Sequence, residues 1–207
     1  MAMKEPPWDQ RAARILVRPL IATPVKPNQI TVMTAVIALI GCGLLATGDV
    51  ASANWGAGLF VTSRFLDHFD GELARQKKMS SRLGYYLDYA AGGLSYGALF
   101  LALGIAYRDG WMGPWALAIG IMGMAAALVS VFTNLGIDRA TSGEGSLDAV
   151  GYPGYAGFEL EDGIYLLAPV TWIGLLEPFF IAASVGAGLY IIWSSWNLWR
   201  LRRQPSS

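Results

Sequence analysis

Six apolar stretches follow one another along the chain, and a long polar segment lies between the fourth and the fifth. Most of them are near the ~20 residues that a helix needs to cross a bilayer. The pattern predicts an all-α, polytopic membrane protein with six transmembrane helices. We place them roughly at 29–47, 50–66, 83–106, 114–135, 163–176 and 178–199. The fifth stretch is the shortest, contains Pro169 and is followed by Pro178.

The segment before the first apolar stretch is polar, proline-rich and basic. Arg11, Arg14 and Arg18 are three and four residues apart, so they share one face of a helix. Apolar residues lie between them, which predicts an N-terminal amphipathic helix on the membrane surface. A solvated basic tail is the alternative. The predicted domains are a juxtamembrane segment (1–28), a six-helix membrane domain (29–200) and a basic cytoplasmic tail (201–207).

The distribution of basic residues predicts the orientation in the membrane. With six spans both termini lie on one side, together with 14 of the 15 Lys and Arg residues, and Arg108 lies opposite. The positive-inside rule places the larger group in the cytoplasm. We therefore expect a multi-pass protein of the cell inner (plasma) membrane with both termini cytoplasmic.

Composition supports this class and excludes others. The 207 residues are 54% hydrophobic and 14% charged, with a mean hydropathy of +0.42. The formal net charge is zero, and no nucleic-acid partner is expected. Cys42 is the single cysteine, which excludes an internal disulfide and a cysteine metal site.

Polar residues concentrate in the stretch from 64 to 96, between two apolar segments. If the second helix continues through Arg75, Asp67 and Asp70 lie on one face. Gly71, Ala74 and Arg75 share this face, while Gly84, Asp88 and Gly92 form a strip on the next helix. Carboxylates near a membrane helix end are costly without a partner, and hard divalent cations prefer oxygen ligands. The strips predict a metal held between two helices with a phosphorylated ligand.

The spacing resembles the signature of the CDP-alcohol phosphotransferase (CDP-alcohol phosphatidyltransferase) family, D-x2-D-G-x2-A-R-x8-G-x3-D-x3-D. Seven of its eight fixed positions match: Asp67, Asp70, Gly71, Ala74, Arg75, Gly84 and Asp88. The eighth is Gly92 instead of aspartate. The start of the first span, residues 27–31, resembles a P-N-x-[IL]-T pattern that is common in the same family.

The resemblance implies roles for these residues. Asp67, Asp70 and Asp88 would bind one or two Mg²⁺ or Mn²⁺ ions, which bind the CDP diphosphate. The nucleotide would contact Asn28, Thr31, Asp67, Gly71, Ala74, Arg75 and Gly84. Arg139 would bind the phosphate of the acceptor, although an ion pair with Asp138 is the alternative. The purely structural interpretation of the aspartates is helix capping or pairing with Arg64, Arg75 or Arg82. That of the small residues is close helix packing.

The implied reaction is CDP-X + alcohol → X-phospho-alcohol + CMP, in phospholipid biosynthesis. X is most often diacylglycerol, so the expected partners are CDP-diacylglycerol, a small alcohol or alcohol phosphate, membrane lipids and a second copy of the chain. The sequence FDGELAR also resembles family members that join inositol phosphates. A polar donor such as CDP-inositol is therefore an open alternative.

The glycine at position 92 leaves the proton acceptor undetermined. In the family the last aspartate is proposed to deprotonate the acceptor hydroxyl. His68, a metal-bound hydroxide or a substrate phosphate are possible substitutes. Alternatively the chain is a catalytically silent relative that binds CDP-linked ligands, or the glycine was introduced to trap a complex. An ion transporter is disfavoured because the acids cluster at one cytoplasmic end.

Overall fold

The computed structural model describes residues 7–142, 154–155 and 158–203. Its α-helices are α1 (Trp8–Leu16), α2 (Arg18–Ile21), α3 (Pro27–Ala46), α4 (Val50–Lys77), α5 (Arg82–Ala106), α6 (Pro114–Ser142), α7 (Leu167–Trp172) and α8 (Leu176–Arg203). A short antiparallel pair of strands, β1 (Gly154–Tyr155) and β2 (Phe158–Glu159), precedes a 3₁₀ helix at Leu160–Leu166. The described chain is helical apart from this pair, so the predicted helical class is confirmed.

Among the described residues, four helices are long and apolar enough to cross a membrane: α3, α5, α6 and α8. The helix α4 has 28 residues but carries the charged motif, and it continues without a break past residue 66 to Lys77, as the spacing of the motif requires. The fifth predicted span, 163–176, is not one helix. Its α-helical part has six residues and covers about 9 Å of a bilayer core of about 30 Å. The six-span count is not confirmed.

The N-terminal segment contains a helix where the sequence predicts one, at α1. Its position on a membrane surface stays a prediction, as do the two domain boundaries. Residues 1–6 and 204–207 lie outside the described residues. The turn after α2 is fixed to the end of α4, because the Lys77 ammonium donates to the carbonyl oxygens of Thr23 (2.8 Å) and Val25 (2.7 Å). This contact holds the start of α3 beside the C-terminal end of α4.

Helix α3 packs against both α4 and α5, and α6 packs against α5 and α8. Two close crossings depend on glycines. A Cβ at Gly56 would lie 2.6 Å from the carbonyl oxygen of Gly41, and a Cβ at Gly120 would lie 2.7 Å from that of Phe100. Small residues allow membrane helices to approach at backbone distance. The first crossing therefore brings α4 close to α3, and the second brings α6 close to α5.

We expect Gly56→Ala to destabilise the protein by about 1–3 kcal/mol, because its methyl group has to push two backbones apart. Gly43→Ala is the matched control in α3. In the described part of the chain, no atom beyond its own helix backbone and sequence neighbours lies within 4 Å of a Cβ at position 43. Its effect is expected to range from none to a stabilisation of about 1 kcal/mol. Thermal unfolding of the detergent-solubilised variants measures the difference, and equal effects would contradict the close crossing.

Candidate metal and nucleotide site

Three aspartates meet where α4 faces α5. Asp67 and Asp70 lie one turn apart on α4 and are buried, while Asp88 on α5 is half-buried. Each offers a carboxylate oxygen, and these atoms all lie within 4.8 Å of one another. Helical spacing predicted that Asp67 and Asp70 share a face, and the structure adds Asp88 from the neighbouring helix. The sequence-predicted acid cluster is therefore assembled in the fold.

The helix α3 supplies hydroxyl donors to two of these acids. The Thr34 hydroxyl donates to Asp67 Oδ1 at 3.0 Å, and the Thr31 hydroxyl donates to Asp70 Oδ2. Both threonines are almost completely buried. Thr31 was predicted among the nucleotide-binding residues, and its hydroxyl is placed on a carboxylate of the acid cluster. Thr34 was not predicted, although it follows Thr31 by three residues and therefore shares its face.

The electrostatics of the cluster favour a bound cation. Burial raises the pKa of Asp70, and the charge of the nearby Asp67 raises it further. Several carboxylates in a small, poorly solvated volume repel one another unless a positive charge lies among them. Oxygen ligands from carboxylates are those that Mg²⁺ and Mn²⁺ prefer. The donor set therefore fits a hard divalent ion.

One buried arginine contacts the cluster, and it is one of the three that the structural interpretation offered as partners of the aspartates. The Arg64 Nη1 atom lies 3.1 Å from Asp67 Oδ2. Its guanidinium carbon lies 4.9 Å from the ring centroid of Tyr96, and this ring packs edge-on against Phe60 with 6.0 Å between the centroids. Tyr96 is one helical turn beyond Gly92 on α5. Arg64 and the two aromatic rings therefore link α4 to α5 on the membrane side of the acids.

The small residues of the motif border the cluster at its other end. A Cβ at Gly71 would lie 3.5 Å from Nη1 of Arg75, whose guanidinium pairs with Glu72 at 2.8 Å. Ala74 is half-buried. The family resemblance predicted that Arg75 supports the site through a carboxylate or a phosphate, and the carboxylate of Glu72 on its own helix is its partner here. More than half of its side chain stays exposed, at 58%.

Gly84 and Asn28 are neighbours in the fold. A Cβ at Gly84 would lie 3.0 Å from Asn28 Oδ1, so glycine permits this approach of α5 to the start of α3. A cleft of about 500 Å³ begins at the same place. Its lining consists of Lys26, Pro27, Asn28, Gln29, Val32, Met79 and Ser81. Two residues that the family resemblance assigned to the nucleotide, Asn28 and Gly84, are thus brought together.

Position 92 faces open space. Apart from its own helix backbone and sequence neighbours, no heavy atom of the described residues lies within 4 Å of a Cβ at Gly92. The glycine is therefore not required there by close packing. Room for a larger side chain exists one helical turn from Asp88.

The only histidine contacts the N-terminal helix. His68 Nε2 lies 2.8 Å from Asp9 Oδ2, and the Tyr165 hydroxyl donates to the same oxygen at 3.0 Å. Burial alone would raise the pKa of Asp9, but the hydrogen bond and charge of His68 lower it below its usual range. Trp8 stacks on Phe65 beside this pair. His68 is outside the group of three acids, and its predicted role as a substitute base stays a prediction.

Arg139 lies at the C-terminal end of α6, beside the first turns of α5. It is exposed, and its Nη2 donates to the Tyr86 hydroxyl at 3.1 Å. Its neighbour Asp138 is buried and accepts hydrogen bonds from the hydroxyls of Tyr85 (2.7 Å) and Tyr89. The tyrosines precede and follow Asp88 on α5, so this polar cluster adjoins the acids. The role of Arg139 in acceptor binding stays a prediction.

Comparisons with known proteins agree with these features. The family model described as CDP-alcohol phosphatidyltransferase matches residues 25–195. A bifunctional IPC transferase and DIPP synthase of Rubrobacter xylanophilus is 32% identical over 116 residues, and one of Aquifex aeolicus is 22% identical over 187. These matches cover 55% and 89% of the chain but only 24% and 41% of the relatives. The chain thus spans less than half the length of these two relatives.

A phosphatidylinositol phosphate synthase of Streptomyces avermitilis is 29% identical over 168 residues, which cover 74% of the chain and 68% of the relative. Among solved structures, the Mycobacterium tuberculosis phosphatidylinositol phosphate synthase with CDP-DAG bound has a TM-score of 0.68 at 17% identity, covering 91% of this chain and 94% of that one. The same enzyme with manganese and citrate has a TM-score of 0.59 at 18% identity, with 90% and 88% covered. These similarities show a shared fold.

The Asp9–His68 contact predicts how firmly α1 is attached to α4. We expect Asp9→Asn to raise the rate of amide hydrogen exchange in residues 8–16 by about 10- to 100-fold. This factor corresponds to the loss of a hydrogen bond to a charged group, which contributes about 1.5–3 kcal/mol. Gln10→Ala is the control, since Gln10 donates to Asp9 Oδ1 through its backbone N–H, which the substitution keeps. Exchange followed by mass spectrometry measures the change. Unchanged exchange in the asparagine variant would contradict the attachment.

Proposed function

The chain belongs to the CDP-alcohol phosphatidyltransferase family, and we propose that it transfers a phosphoalcohol group from a CDP-alcohol to a hydroxyl acceptor with release of CMP. The observation that carries the proposal is the convergence of Asp67, Asp70 and Asp88 from two helices within a motif of the family's spacing. The chain is an integral membrane protein, so a lipid-linked donor can reach the site from the bilayer. The proposed process is phospholipid biosynthesis.

The three aspartates are the proposed ligands of Mg²⁺ or Mn²⁺. A divalent ion there would neutralise the diphosphate and stabilise the charge that builds on the departing CMP. Thr31 and Thr34 orient two of the carboxylates through hydrogen bonds from a third helix. The manganese found with the structurally similar mycobacterial enzyme supports this choice of ion.

The nucleotide is proposed to lie between the start of α3 and the motif. Asn28 and Gly84 are adjacent there, and an open cleft begins beside them. Gly71 and Ala74 add little bulk, so a ligand can approach the backbone of α4. The exposed guanidinium of Arg75, already oriented by Glu72, is available for a phosphate. Asp67 borders this region as well as the metal.

The donor is proposed to be CDP-diacylglycerol, with a polar CDP-alcohol such as CDP-inositol as the second candidate. The name of the Streptomyces relative and the CDP-DAG bound in the similar mycobacterial structure support the first. The two bifunctional relatives are named for other reactions, IPC transferase and DIPP synthase, and these names keep the second candidate donor open. For the acceptor, the exposed Arg139 beside α5 is the proposed phosphate ligand.

The second candidate function is a catalytically silent relative that binds CDP-linked ligands, and Gly92 is the observation that favours it. The usual base is missing, and His68 Nε2 already contacts Asp9. For His68 to accept a proton at Nε2, this contact has to break. If His68 is not the base, the proposed proton acceptor is a substrate phosphate or a hydroxide at the metal site.

For the setting of the site, we propose the inner membrane, with both termini and the aspartates on the cytoplasmic side. The distribution of Lys and Arg supports this orientation. A homodimer is proposed from family membership.

The decisive experiment measures CMP release from CDP-diacylglycerol with Mg²⁺ and a pool of small alcohols and alcohol phosphates. We expect release by the unchanged chain and a rate about 10²–10⁴-fold higher for Gly92→Asp, because a general base contributes this much and position 92 has room for it. Asp70→Asn is expected to abolish release. Asp109→Asn, an exposed acid in the loop between α5 and α6, is the matched control.

Release only by Gly92→Asp would favour the silent relative over the active enzyme. Release by Asp70→Asn at the unchanged rate would contradict the assignment of the metal site. A third outcome is that neither the unchanged chain nor Gly92→Asp releases CMP from CDP-diacylglycerol, whereas both release it from CDP-inositol. This result would identify CDP-inositol as the donor.

The orientation is tested by placing a cysteine at Gly110, which is exposed in the loop after α5, in a Cys42→Ala background. We expect Gly110→Cys to react with a membrane-impermeant maleimide in intact cells. Ser80→Cys, exposed between α4 and α5, is expected to react only after permeabilisation. The reverse pattern would show that the termini and the aspartates face away from the cytoplasm.

A further inference from the structure

The acid cluster contains a fixed cation of its own. Arg64 is buried, with 8% of its surface exposed, and its guanidinium contacts Asp67 Oδ2 at 3.1 Å. The face of the Tyr96 ring lies 4.9 Å from the guanidinium carbon, and cation–π attraction adds to the ion pair there. Tyr96 is itself held by the fully buried Phe60. The positive charge is therefore part of the site and does not belong to a mobile surface side chain.

Arg64 contacts α5 one helical turn beyond the position where the motif lacks its fourth acid. Tyr96 follows Gly92 by one turn of α5, and the space at position 92 is open. The neighbouring aspartate Asp67 accepts from Thr34 at one oxygen and contacts Arg64 with the other. This end of the site therefore has one negative charge fewer than the complete motif would give, together with a guanidinium charge.

We infer that Arg64 acts as a permanent cation of the acid cluster, so that the site holds one divalent ion and not two. The inference rests on the proposed function, since it assumes that Asp67, Asp70 and Asp88 bind metal. According to this inference, the number of bound metal ions depends on the charge of Arg64 and on the residue at position 92.

The charge balance supplies the physical reason. Three carboxylates carry a charge of −3, and Arg64 with one divalent ion carries +3, so the cluster is neutral. A second divalent ion would bring the positive charge to +5 against the same −3. Unbalanced charge in a poorly solvated volume is strongly unfavourable, because Coulomb interactions there are weakly screened. The arginine cannot lose its proton to relieve the excess.

The same balance predicts the behaviour of variants. Removing the guanidinium in Arg64→Gln, or adding an acid in Gly92→Asp, leaves one bound ion in a site with one uncompensated negative charge. Each single variant is therefore expected to bind Mn²⁺ at least about tenfold more tightly than the unchanged chain. Combining the two substitutions gives a charge of −4 without a fixed cation, which two divalent ions balance. The double variant is expected to bind two.

The test is a titration of the full chain in lipid nanodiscs with Mn²⁺ alone, in which the electron paramagnetic resonance signal of free Mn²⁺ gives stoichiometry and affinity. We expect one site in the unchanged chain, two in the double variant, and one in Arg64→Lys, which keeps the charge. Arg108→Gln removes a similar arginine beside Asp109, outside the acid cluster, and is expected to leave Mn²⁺ binding unchanged.

Two Mn²⁺ ions in the unchanged chain, or one in a folded double variant, would overturn the inference and leave the proposed metal site in place. Unchanged affinity in Arg64→Gln would also overturn it. No binding to the unchanged chain would overturn the metal site itself and the inference with it. If Arg64→Gln does not give a monodisperse protein on gel filtration, the stoichiometry of the unchanged chain and the affinity of Gly92→Asp decide.

Discussion

The constraint on which the structure depends is the cost of holding three carboxylates together at the end of membrane helices. Each would be costly there without hydrogen bonds or a counter-charge. Three features reduce this cost. The hydroxyls of Thr31 and Thr34 on α3 donate to the carboxylates, and Arg64 on α4 contributes a positive charge. The carboxylate oxygens can also bind a divalent ion. A divalent ion bound there would thus stabilise this arrangement as well as serve the proposed chemistry.

The glycines serve the same arrangement at a distance. Gly41 and Gly56 let α3 approach α4, while Gly84 lets the start of α5 approach Asn28 of α3. Because α3 contacts both motif helices, it determines how far Asp88 lies from the two acids of α4. A change of one methyl group at such a crossing would move ligand oxygens that have to meet within a few ångströms.

Sequence periodicity was sufficient for the local part of the site and insufficient for its surroundings. The spacing of Asp67 and Asp70 fixes their common face, and the family's motif spacing brings in Asp88 from the next helix. The ring contact of Arg64 and the acid partner of His68 could not be predicted, because the ring belongs to α5 and the acid to α1. The segment 163–176 looked like a short span, since hydropathy does not distinguish a 3₁₀ turn followed by a short helix from a membrane crossing.

The glycine at position 92 removes two properties at once, a negative charge and a proton acceptor. Arg64 compensates for the lost negative charge only, because it brings the cluster closer to neutrality with a single divalent ion. It cannot replace the proton acceptor, since a guanidinium always carries its proton and cannot accept another. The two losses therefore have separate consequences. A neutral, well-ordered site with one metal ion can bind the diphosphate of a CDP-alcohol tightly and still transfer the phosphoalcohol group slowly. Binding depends on charge, whereas transfer also needs a group that takes the hydroxyl proton.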